Sequence, residues 1–330
     1  MKIKYSIILA CAITLLSSCD YSEDELQPSN EKTSYSVPQG NHPYDQTIVN
    51  IFNKYGTYIL YDFTDKDAYW TPGGWLNGME GEYKQDGTGG KAGFTMVKAD
   101  ENYVGQQLDL LQQTWFGKFN DKMLDDLLPT KILLCSEVNE IVNQYGWDAN
   151  GYWSKYLPTP VNAWYNYDNI CVNYGNADVQ NLTDAQKKQF STDVIIEWIK
   201  YMNARKLTVP DEFATSVDYS KTSNIYSPKE AMAAGITANG YNTDAPRDWQ
   251  RFMEIMVKYT YDWLTEDPGD ISNWTSWASQ WSWNTESDDW HGCLNVAKDT
   301  NGVMKKRYQI VRQYFIDNYG MDLQNIGNAQ

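Results

Sequence analysis

The strongest constraint on the fold is a long helical stretch at residues 183–213, TDAQKKQFSTDVIIEWIKYMNARKLTVPDEF. Thr183 and Gln186 stand at capping-box spacing, so two orphan amides at the helix start can be satisfied reciprocally. The stretch ends before Pro210, which cannot continue a helix. A helix of this length needs apolar partners along its flank, and the chain supplies them in a fixed order. β-rich runs come first, at 57–63 (TYILYDF), 131–138 (KILLCSEV) and 169–174 (NICVNY). Helical runs dominate afterwards. Few strands early and helices late argue for one α+β domain, mainly helical, with a small sheet contributed by the N-terminal half.

Around these elements the spacing predicts a helix over 44–55, with Tyr44, Ile48, Ile51, Phe52 and Tyr55 on one face and Gly56 as its stop. Residues 64–93 read as loop, with glycines at 73, 74, 78, 81, 87, 89 and 90. A helix is predicted over 103–119 on the stripe Val104, Leu108, Leu111 and Trp115. Residues 148–167 read as an aromatic loop containing Tyr152, Trp153, Tyr156, Trp164, Tyr165 and Tyr167. Ser227, Pro228 and Glu230 predict a capped helix start. One long helix is expected over 244–266, and a last one over 303–318 that stops near Gly320.

The N-terminus carries a separate signal. Met1 to Lys4 form a short basic region, and residues 7–16 are an apolar run of signal-peptide length. Leu16-Ser17-Ser18-Cys19 is a lipobox, so residues 1–18 are expected to be a lipoprotein signal and Cys19 to be lipidated. Acyl chains there would hold the mature protein to a membrane without a spanning helix. Residues 19–41 are polar, with two prolines, and read as a flexible acidic tether. The domain proper is expected over 42–330. The run Asp20-Tyr-Ser-Glu-Asp-Glu25 resembles the acidic export tag of Bacteroidetes surface lipoproteins, which implies the outer membrane, facing the cell exterior.

Composition narrows the chemistry. A formal charge of -16 argues against a nucleic-acid footprint and fits a solvated acidic surface. Only two histidines are present, His42 and His291, so there is no HExxH motif with two imidazoles one helical turn apart. Nothing local marks either histidine as the base of a Ser-His-Asp triad. No strand leads into GxGxxG or GKS/T, so a phosphate cradle is not expected. Cys135, Cys171 and Cys293 are too far apart for a metal knuckle. They read as buried small hydrophobes, with room for at most one disulfide among them.

Several segments, in order, resemble the zinc metallopeptidase (substrate import-associated zinc metallohydrolase) lipoproteins of Bacteroidetes. They are the lipobox, HPYDQTIVNIFNKYGTYILYDF (42–63), the 183–213 helix running into Val209-Pro210-Asp211-Glu212-Phe213, AMAAGI (231–236), Arg247-Asp248-Trp249, and KKRYQIVRQYFIDNYGMDLQNI (305–326). The resemblance spans most of 42–326 and implies a zincin-like domain. In that family the helix before the Pro-x-x-Phe turn carries HExxH. Counted back from Pro210, those positions fall on Glu197-Trp198-Ile199-Lys200-Tyr201. Glu197 and Tyr201 stand in place of the imidazoles, and Trp198 in place of the catalytic glutamate. The family's later acidic stretch reads Asp248-Trp249-Gln250-Arg251, with a cation where a ligand is expected. The resemblance therefore implies a pseudoenzyme without zinc. Calcium at Asp193 and Glu197, one turn apart, stands beside the plainer reading of a solvated helical face.

The expected function is an accessory or binding component of a TonB-dependent glycan or peptide uptake system, partnered with a TonB-dependent porin and its lipoprotein. Trp274, Trp277, Trp281, Trp283 and Trp290 lie in an otherwise polar stretch. Trp281, Trp283 and Trp290 are candidates to stack on sugar rings, against a reading in which the cluster packs on the core. Two alternatives remain. One is an active hydrolase, either a divergent metallopeptidase or a carboxylate-based glycan hydrolase; the other is a structural partner of the importer.

Overall fold

A computed structural model describes residues 35–75, 92–225, 227–237, 243–271 and 290–329. The chain divides into two units, residues 1–35 and 36–330. Every described helix and strand belongs to the second. The lipobox with Cys19, and Trp281 and Trp283, lie outside the described residues. Among those that are described, no helix is long and apolar enough to cross a membrane.

The first helix, α1 (Asp45–Tyr55), buries Ile48 and closes on Gly56 in the left-handed conformation (φ 68°), which glycine adopts without strain. Strand β1 (Tyr58–Leu60) is shorter than the β-rich run suggests. The Tyr61 and Asp62 amides donate to the Gln39 side chain, and Thr64 then opens α2 (Asp65–Tyr69) through a capping box with Asp67. Side-chain acceptors thus take the amides that a longer ladder would need.

Strands β2 (Gly93–Lys98), β3 (Lys131–Asp148), β4 (Gly151–Pro160), β5 (Ala163–Asn166) and β6 (Asn169–Val172) complete a six-stranded mixed sheet. β3 is its spine. Its buried first turn of sequence, Lys131 to Cys135, pairs in parallel with β1 and β6, and β5 runs antiparallel to β6. Such strands, buried on both faces, read as continuous apolar runs, as KILLC does. The exposed second half of β3 pairs antiparallel with β2 and β4. All six strands lie between residues 58 and 172, the last of them just past the midpoint of the chain. The fold is accordingly mixed α and β, with four described α-helices before the third strand and the rest after the sheet.

The helices after β6 are α5 (Asp184–Arg205), α6 (Asp211–Ala214), α7 (Pro228–Ala234), α8 (Ala245–Lys258), α9 (Tyr261–Thr265), α10 (Val303–Tyr319) and α11 (Gln324–Asn328). Between β2 and β3 lie α3 (Val104–Thr114) and α4 (Asp121–Leu127). α5 packs on β5, α3 and α8. Its buried face, Phe190, Val194, Ile195, Trp198, Ile199 and Met202, merges with Trp115 and Phe119 of the α3–α4 segment.

Three expectations are corrected. Residues 148–167 are not a loop: they form β4 and β5. Asn150-Gly151 is the turn signal, with Gly151 at φ 109° and the Asp148 carboxylate accepting the Asn150 amide (2.7 Å). The long helix at 244–266 is two helices. Tyr259 leaves the helix in extended conformation and Thr260 caps a new one by accepting the Trp263 amide. The loop at 64–93 holds α2 and the start of β2. The capped starts of α5 and α7, at Thr183/Gln186 and Ser227/Glu230, are as expected.

Candidate functional site

α5 carries Glu197, Trp198 and Tyr201, and the packing around it fixes which way each points. Trp198 faces the interior with no exposed surface, and its indole donates to the Leu127 carbonyl at 2.8 Å. Its ring meets Phe119 and Trp115 edge-on, at 4.7 and 5.6 Å between centroids. Tyr201 is also buried and stands edge-on to Tyr165 at 5.7 Å. Burial pushes its phenol up to about 12, against a hydrogen bond from Thr130. Neither side chain reaches open space.

Glu197 faces the other way, into a cleft of about 460 Å³ between α5, α8 and the Pro160–Ala163 stretch. Its carboxylate accepts from Lys200 (2.5 Å) and from the Tyr165 amide (3.0 Å). Desolvation raises its pKa above the ordinary glutamate value, with Lys200 and that amide opposing and Glu254 adding to the rise. Across the cleft the buried Glu254 accepts from Arg251 (2.9 Å) and Gln250 (2.8 Å). Arg251 is therefore the partner of a carboxylate rather than a vacancy in a ligand set. Asp193 accepts from Asn162 (2.7 Å) and Gln189 (2.8 Å), one at each oxygen.

These residues do not fit zinc. The register supplies one carboxylate already held by an ammonium and an amide, one buried indole and one buried phenol, where the ion needs three open ligands. A site at Asp193 and Glu197 for a harder cation would have to displace four donors from four oxygens. Among the described residues, no three His, Cys, Asp or Glu side chains are gathered as a metal would require.

No family model matches the chain, and no curated protein matches it. Among solved structures it is similar to a "putative zinc-binding metallo-peptidase" from Bacteroides caccae. Identity is 11% and the TM-score 0.42, over 86% of this chain and 88% of that one. A likeness at that distance assigns no residue a role.

A second cleft, about 640 Å³, shares the wall Pro160-Val161-Asn162 with the first and lies between the root of the β3–β4 hairpin and the start of α5. Its lining is rich in amides, with Asn139, Asn162, Asn173, Asn176 and Asn181 beside Tyr174. Several of these amides stiffen the wall. Asn173 donates to the Val161 carbonyl (3.0 Å) and accepts the Tyr174 amide (2.7 Å), while Asn176 donates to the Ser136 carbonyl (2.6 Å). Tyr174 itself sits at φ 73°, a conformation that costs a non-glycine residue energy and clusters at functional sites. Its ring rests edge-on against Phe190 of α5 at 5.5 Å. Amide walls with one aromatic side, the apolar Val161 and Leu182, and the carboxylates of Glu137 and Asp178 in the lining suit a polyhydroxylated or peptide ligand.

The remaining sequence candidates are dispersed. Trp290 is only 4% exposed and belongs to the core cluster, so its ring faces are taken by packing. Each histidine meets carboxylates: His42 lies against Asp45 (3.3 Å) and Glu101 (3.1 Å), and His291 against Glu266 (2.7 Å). The second cleft was not visible in the sequence because its amides come from three separate stretches, Asn139, Asn162 and Asn173 to Asn181. A run of asparagines flanking strand ends, at 162, 173 and 176, was the available signal.

Proposed function

We propose that this chain is a non-catalytic, zincin-like relative of the zinc metallopeptidase lipoproteins, acting as a ligand-binding accessory of a TonB-dependent uptake system. It would be anchored through lipid on Cys19 at the outer membrane, facing outward, beside a TonB-dependent porin and its partner lipoprotein. The observation that carries the reading is the commitment of the metal-register positions: Trp198 is bonded to the Leu127 carbonyl, Tyr201 is buried against Tyr165, and Glu197 is held by Lys200. What is left open on that side is a pair of adjoining polar clefts. The larger, amide-lined one is assigned the ligand, a glycan or a peptide segment.

The test is metal analysis and calorimetry on the purified chain. Sub-stoichiometric zinc, with glycan or peptide binding weakened by Asn139→Ala plus Asn181→Ala, supports the reading. Stoichiometric zinc lost on Glu197→Ala would sink it.

A carboxylate hydrolase is the second reading, favoured by the raised pKa of Glu197 and the buried Glu254 in one cleft. Turnover of a polysaccharide abolished by Glu197→Gln would establish it in place of the first.

A further inference from the structure

The distal part of the β3–β4 hairpin carries aromatic side chains that the core does not use. Residues paired across an antiparallel ladder share a face. The pairs Asn143↔Tyr156, Tyr145↔Ser154 and Trp147↔Tyr152 therefore place these six side chains together. Three of their rings are exposed: Trp147 by 80%, Tyr145 by 71% and Tyr152 by 58%. They adjoin one another, with Tyr152 centred 5.6 Å from Trp147 and 6.4 Å from Tyr145. Exposed aromatic rings gathered this way at a strand end mark an interaction surface.

The support beneath them is ordered. Ser154 donates to Asn143 at 2.8 Å across the ladder. On the opposite face the Trp153 ring covers Gly146, so close that a Cβ there would lie 2.9 Å from it. An aromatic lying over a cross-strand glycine pins the register of a hairpin.

We infer that this face, Tyr145, Trp147 and Tyr152 with Asn143 and Ser154, is a platform for neutral polysaccharide. From Asn143 to the tip it holds rings, a hydroxyl and an amide, with no aliphatic and no charged side chain. That matches a pyranose, which offers an apolar C–H face and a rim of hydroxyls. A membrane-seeking face would add cations, and Lys155 lies on the other side, paired with Gln144. The chain's charge of -16 disfavours polyanionic glycans. Rings two residues apart on a strand recur at about 6.8 Å, so neighbouring rings can engage successive sugars. The inference rests on the proposed role in ligand capture and names both a second surface and a ligand class for it.

The experiment titrates the full chain, in detergent, with a soluble β-glucan, a xylan, a galactomannan and an α-glucan. Binding to at least one is expected. It should weaken about tenfold or more in Trp147→Ala and vanish in Tyr145→Ala/Trp147→Ala/Tyr152→Ala, with melting unchanged. Trp147→Phe, which keeps a stacking ring, should retain most of it. Binding unaltered in the triple variant, but lost in Asn139→Ala/Asn181→Ala, would overturn the platform and leave the cleft reading standing. No binding to any of the four would overturn the platform, while peptide binding at the cleft would still uphold the accessory role. Association with anionic vesicles lost in the triple variant would replace the platform with a membrane contact.

Discussion

Arg307 of α10 and Asp248 of α8 meet at 2.9 Å with neither side chain exposed. The carboxylate also accepts from the Thr237 amide (2.9 Å), the Thr243 hydroxyl (2.9 Å) and the Tyr219 hydroxyl (2.7 Å), while the guanidinium caps the Phe213 ring at 4.0 Å. One buried pair thus ties α6, α7, α8 and α10. The Asp248-Trp249 stretch serves as a fastening within the core.

Breaking that pair from one side leaves an uncompensated buried charge. Arg307→Met or Asp248→Asn is expected to lower unfolding free energy by about 3–5 kcal/mol. Urea denaturation measures it, and the double variant should recover part of the loss. Additive losses would show that the two residues do not act as a pair.

Trp198 anchors α5 to the interior through its indole hydrogen bond and its ring contacts. Trp198→Phe should cost about 1–3 kcal/mol, because the Leu127 carbonyl is left buried without its donor. Trp198→Ala should cost about 3–5 kcal/mol through the cavity it opens. Thermal melting of both variants checks the order. Equal, small effects would mean that the indole is not the anchor described.

Glu197 should make the protein less stable as pH rises. Its folded pKa lies above the ordinary value of 4.5, so the folded state holds the proton more tightly. The stabilisation this gives is present below that value and is lost as pH climbs through the raised folded pKa. Glu197→Gln should flatten stability against pH in that window. An unchanged profile would place the titration elsewhere.

The cysteines are inaccessible in the folded protein. Cys135, Cys171 and Cys293 are free and buried, and burial pushes the Cys293 thiol up to about 12. A thiol reagent should find none of the three in the native chain and all three after denaturation. Rapid native labelling would contradict the packing around them.

Local chemistry in the sequence already settled the helix starts at Thr183 and Ser227, the stops at Gly56 and Gly320, and the buried strands at 131–135 and 169–172. Caps, left-handed glycines and unbroken apolar runs act over a few residues and need no distant partner. Asn150-Gly151 was equally local and marks a hairpin, but the alternating polar and aromatic residues around it blurred the strands into an apparent loop. Tertiary structure decided the rest. Only packing against Phe119 and Leu127 turned Trp198 inward, and only the approach of α8 gave Arg251 a carboxylate to hold. The amide cleft gathers segments far apart in sequence, and the aromatic hairpin face follows from the cross-strand register of β3 and β4. Composition can list such residues, and only the paired strands bring them together.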